Sequence, residues 1–172
     1  MPLSMFQASV PGFRRGLEVL GTLLDKGAAH AEATGMDPAA VVGARLAPDM
    51  LTLAGQVQRA SDTSKLSAAR LSGTEAPRFE DTETTLPELR ARVAKTLDYL
   101  GGLDPAQFEG SEEREVVVPA GPVRIRFQRA DYLLSFALPN FYFHVTTAYD
   151  ILRHLGVPVG KRDYLGPIGQ RE

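Results

Sequence analysis

The sequence predicts an all-α protein, a four-helix bundle with a long crossover connection and a small β-hairpin inserted between helices three and four. Three observations carry this expectation. Long segments repeat apolar residues at three- and four-residue strides. Capping boxes, Pro and Gly stand where such helices should start and stop. One short stretch, "REVVVPAGPVRIRF" at 114–127, switches to the two-residue alternation of strands.

The first helix is signalled by Ser4 with Gln7, a capping box in which two side chains satisfy otherwise unpaired helix-end amides. Phe6, Val10, Phe13, Leu17, Leu20 and Leu24 then form one apolar stripe on a helix running to about Thr34, with Gly35 as its stop. Pro11 removes one backbone donor, so a kink or a delayed start near Val10 is expected. Asp37 before Pro38 opens a short connecting helix through Gly43.

Pro48 suits the first turn of the second long helix, which should align Met50, Leu53, Val57, Ala60 and Ser64 and end near Gly73. Gln56, Gln58, Arg59 and Asp62 interrupt it. The stretch 73–85, "GTEAPRFEDTETT", mixes Pro, Gly and carboxylates without periodicity and reads as the crossover. Thr85 with Glu88 forms a second capping box, so the third helix begins at Leu86, buries Leu89, Val93, Leu97 and Leu100, and ends at Gly101 and Gly102.

In the hairpin, Val123, Ile125 and Phe127 alternate with Pro122, Arg124 and Arg126, which places one apolar face against the bundle. The fourth long helix should run from Asp131 to Leu155 and bend at Pro139. Gly156 and Pro158 stop it, and the tail, residues 160–172, has too much Gly and Pro for another helix. The 172 residues are read as one domain, and 44% hydrophobic residues can bury its core.

Composition excludes several kinds of chemistry. Without cysteine there are no disulfides, thiolate nucleophiles or thiolate-bound metals. A formal charge of -2, from 19 basic and 21 acidic residues, gives no broad cationic surface, so nucleic acid is not an expected partner. No signal sequence or bilayer-length apolar run is legible, so the expectation is a cytoplasmic protein with no membrane partner. P-loop, dinucleotide-binding and hydrolase-elbow motifs are absent from strand-to-helix contexts.

The fourth helix holds His144 and His154. At about 100° and 1.5 Å per residue they stand roughly 80° and about 15 Å apart, too far to share an ion. What the helix does have at the chelating spacing i, i+4 is Asn140 with His144, an amide and an imidazole on one face. A histidine there is equally explained by burial with a hydrogen bond to an amide of the second long helix such as Gln56. His154 and His30 read as complements to helix C-termini. Asp104, Glu109, Glu112, Glu113 and Glu115 form an acidic run best read as a solvated loop. Of the consecutive rings Phe141, Tyr142 and Phe143, at least one must point into the core or an interface.

The ending "HVTTAYDILRHLGV", together with "ARLAPDMLTLAGQVQ", "FEDTETTLPELRARVAKTLDYL" and "SMFQASVPGFRRGLEVLGTLLDKGAAHA", resembles the DinB-like superfamily of metal-dependent enzymes, in a branch of unknown function. The resemblance covers nearly the whole chain. In better understood relatives, one histidine of the second helix and two of the fourth hold nickel or zinc. Carried onto this chain, those positions fall on Gln56, Asn140 and His144, so His144 is the one metal ligand retained.

The resemblance further implies a homodimer. The expected function is therefore a cleft around Gln56, Asn140 and His144 that binds a small polar ligand beside a degenerate metal site. Two alternatives stand beside it. One is a metal-dependent transferase or hydrolase completed by Asp62 or water; the other is a structural or interaction protein in which these residues only fix packing.

Overall fold

The computed structural model describes residues 3–110 and 115–166. Its elements, in order, are α1 (Met5–Thr34), α2 (Pro38–Gly43), α3 (Leu53–Ser72), α4 (Leu86–Gly101), a 3-10 turn (Pro105–Phe108), β1 (Val116–Ala120), β2 (Val123–Phe127), α5 (Arg129–Asp131), a π-helical stretch (Tyr132–Ala137), α6 (Leu138–His154) and α7 (Lys161–Leu165). Helices α1 and α3 each pack against both α4 and α6, which arranges the four long helices as a bundle around one apolar core. No helix among the described residues is long and apolar enough to cross a membrane.

The helix starts follow from local chemistry. The Ser4 hydroxyl accepts from the Gln7 amide while Gln7 returns a bond to Ser4, and Thr85 and Glu88 repeat the exchange at α4. Asp37 caps α2 with Pro38 in its first turn. Pro11 neither delays nor interrupts α1. The stripe of α1 is buried from Val10 to Leu24, and Phe13 meets Phe141 of α6 edge to face at 5.1 Å. Gly16 makes this approach possible, because a Cβ there would lie 2.4 Å from the Phe141 ring.

Four expectations need correction. Helix α3 begins at Leu53, not near Pro48: the Thr52 hydroxyl accepts from the Gly55 amide and fixes the start, so Met50 lies outside it. The fourth helical run begins at Arg129, and Pro139 is accommodated by a π-helical stretch, in which the Leu138 amide donates five residues back to Leu133. In the hairpin, burial lies on β1, at Val116 and Val118, whereas Val123 is 57% and Ile125 40% exposed. In the antiparallel register Val116 faces Phe127, Val118 faces Ile125 and Ala120 faces Val123, so the buried and exposed members stand directly opposite each other.

The fourth correction is a helix in the tail, α7. Asp163 accepts from the Gly160 amide at 2.8 Å and from Lys26 of α1 at 2.6 Å, so an end cap and an ion pair together hold a turn that composition argued against. Burial of Val157 and Val159 anchors the approach to it. The rest of the expected tail, 167–172, lies outside the described residues, as do Glu112 and Glu113 of the acidic run. Within that run, Asp104 caps the 3-10 turn and Glu115 pairs with Arg126 at 2.8 Å.

Candidate functional site

Helices α3 and α6 lie side by side, and of the polar residues that interrupt α3, Gln56 faces α6 while Gln58, Arg59 and Asp62 bond the crossover or α4. Gln56 and His144 meet there: His144 Nδ1 is 2.7 Å from Gln56 Oε1, a bond between two buried side chains 88 residues apart. The Gln56 amide nitrogen donates in turn to the Leu51 carbonyl at 3.3 Å. This second contact fixes the orientation of the amide, leaving its oxygen toward the imidazole. Nδ1 must then carry the proton, and Nε2 carries the lone pair. Among the described residues Nε2 has no hydrogen-bond partner.

Burial, and secondarily the Arg59 guanidinium, push the His144 pKa down to about 4. At neutral pH the ring is therefore uncharged, and its free nitrogen is an acceptor. Asn140 does not join this pair. Its Nδ2 donates to Thr63 Oγ1 of α3 at 3.2 Å, one helical turn from His144 on the same face. Among the described residues its side-chain carbonyl oxygen makes no hydrogen bond. The seam thus presents two acceptors.

The three residues expected to line one cleft are therefore placed along one α3–α6 seam, two of them directly bonded and the third bonded elsewhere. Four cavities lined by described residues lie on other faces, around α1, α6 and α7, and none of the four includes Gln56, Asn140 or His144. His154 is exposed in the last turn of α6 as expected, whereas His30 is half-buried and stands one turn before the end of α1.

The donor set does not fit a transition metal. Gln56 Oε1 already accepts from the imidazole, Asn140 is tied to Thr63, and only Nε2 of one histidine remains as a nitrogen ligand. Asp62, the carboxylate available to complete a site, is surrounded by cations: Lys65 at 2.7 Å, Arg92 at 2.9 Å and Arg59 at 3.7 Å. Among the described residues, no group of three His, Asp or Glu side chains could hold an ion.

Beside the seam stands a feature that sequence reading missed. Arg92 of α4, 2% exposed, bonds Asp62 of α3, Asp81 at 3.0 Å, Glu83 at 3.0 Å and the Glu80 carbonyl at 2.9 Å. Arg59 also binds Asp81, and Phe79 lies under the Lys65 ammonium at 4.1 Å. The crossover is thereby pinned onto α3 and α4, with Arg59 joining this network to the His144 seam. A legible signal existed: Arg92 stands three residues after Leu89 and four before Thr96, inside the buried stripe of α4.

The family described as domain of unknown function (DUF1993) matches residues 5–165. Among solved structures, the chain is similar to a DinB family member protein from Shewanella denitrificans, whose crystal structure was determined at 1.83 Å. The identity is 39% and the TM-score 0.88, over 98% of this chain and 95% of that one. No curated protein matches.

Proposed function

Since the chain belongs to the DUF1993 family and shares the DinB-like fold, we propose that it binds a small polar ligand at the α3–α6 seam without a metal ion. The observation that carries this reading is the Gln56–His144 bond with the Gln56 amide locked on Leu51. It turns a histidine at a chelating position into a neutral acceptor of defined tautomer. Beside it, the Asn140 carbonyl supplies a second acceptor, so the fitting ligand carries N–H or O–H donors. Uncharged acceptors aimed at donors recognise a ligand; they supply no Lewis acid. In this reading the protein is cytoplasmic and a homodimer, with exposed Leu134, Tyr142 and Phe143 offering apolar surface for association.

One observation favours a structural role instead. The Gln56–His144 bond itself ties α3 to α6, and the four cavities above lie elsewhere. Two experiments separate the readings. Acetamide, which carries N–H donors, should shift the His144 Nε2 resonance saturably; no shift supports the structural role. Elemental analysis after nickel and zinc loading should find no stoichiometric metal, and metal lost in His144→Ala would restore the metalloenzyme reading.

A further inference from the structure

One of the four cavities lies at the corner between α6 and α7, away from the seam. Its volume is about 180 Å³, and Thr146, Tyr149, Asp150, Lys161 and Tyr164 line it. The sequence places Thr146, Tyr149 and Asp150 at i, i+3 and i+4, on one face of α6, and α7 closes the corner from the other side. The Tyr149 and Tyr164 rings meet at 70° with centroids 5.8 Å apart, which leaves an angle of two aromatic walls. The Tyr164 hydroxyl and Thr146 Oγ1 are 2.8 Å apart and hydrogen-bonded, which fixes one wall.

Two opposite charges share this cavity without using each other. Asp150 and Lys161 are both exposed, and among the described residues neither side chain makes an ion pair or hydrogen bond. Asp163 of α7, by contrast, is committed to Lys26. An aromatic corner attracts weakly hydrated ammonium groups through the negative faces of its rings, and a carboxylate beside it adds charge. A lysine lining the same cavity repels a simple cation but attracts a carboxylate.

We propose that this corner binds a small zwitterionic ammonium carboxylate, with the ammonium against the ring faces that Tyr149 and Tyr164 turn to the cavity, beside Asp150, and the carboxylate at Lys161. The inference stands apart from the α3–α6 reading, because it shares no residue with it. It needs no reaction and no cofactor. Charge separation within one cavity is its distinguishing feature: neither half of the zwitterion alone satisfies both groups.

Glycine betaine is the probe, titrated into the full chain while the Tyr149 and Tyr164 ring resonances are followed. The expected result is saturable binding with a Kd on the order of 1 mM. Choline, with the cation alone, and acetate, with the anion alone, should each bind about tenfold more weakly or worse. Asp150→Asn and Lys161→Gln, both surface changes whose folding is checked by thermal unfolding, should each weaken betaine by about tenfold, whereas His144→Ala should leave it unchanged. A non-saturating response to betaine, or equal responses to all three compounds, overturns the proposal. So does undiminished betaine binding in folded Asp150→Asn.

Discussion

The Arg92 guanidinium of α4 reaches both carboxylate oxygens of Glu83 in the crossover, at 3.0 and 3.1 Å. Because the arginine is almost wholly buried, removing it leaves Glu83 without a cation and takes one of the cations from Asp62 and Asp81. Breaking one partner of a buried ion network costs about 3–5 kcal/mol. Arg92→Met should lower stability by that order in chemical denaturation and speed hydrogen exchange across 73–85. A loss below about 1 kcal/mol, the range of surface pairs, would mean that the network is not structural.

Acid should act on two groups of opposite chemistry. Burial raises the Glu83 carboxyl pKa, but hydrogen bonds from Gln58, its own backbone and Arg92, with the arginine charge, outweigh this and hold it below the usual 4.5. Its contribution is present above that value and is lost as pH falls through the lower folded one. His144 is depressed from 6.5 to about 4, so the unfolded chain binds its proton first as pH falls. Stability should therefore decline between about pH 6.5 and 4, by at most roughly 3 kcal/mol from this group. His144→Gln should flatten that upper limb of the profile and leave the loss below pH 4.5 in place.

Helix α1 approaches α6 only because position 16 has no side chain. Gly16→Ala would set a Cβ 2.4 Å from Phe141, a collision with a buried ring that is itself packed on Phe13. Overpacking of this kind costs about 1–3 kcal/mol. Gly43→Ala, at the exposed end of α2 where nothing lies within 4 Å, should be neutral or stabilising by up to ~1 kcal/mol. Thermal unfolding of the two variants checks the contrast.

These contacts also show what the sequence could disclose. Helix starts at Ser4 and Thr85 were legible because a capping box joins residues three positions apart, and the start at Asp37 because an acceptor side chain precedes a first-turn proline. The Gln56–His144 partnership was legible as well, once α3 and α6 were taken as neighbours. The true start of α3 was not, since Pro48 and Thr52 both suit a helix entrance and only the Leu53 amide bond to the Ala44 carbonyl shows the connection still folding back. Likewise α7 depends on Lys26, 137 residues from Asp163, and no local pattern announces such a pair. Asn140 donates to Thr63 across the seam rather than to His144, a choice of rotamer that spacing cannot reveal.

The most direct measurement is the tautomer of His144 in the unliganded protein, read from its two ring nitrogen resonances at neutral pH. The account predicts a proton on Nδ1, held by Gln56, and a bare Nε2, with both patterns lost in Gln56→Ala. A proton resident on Nε2, or a charged ring at pH 7, would contradict it.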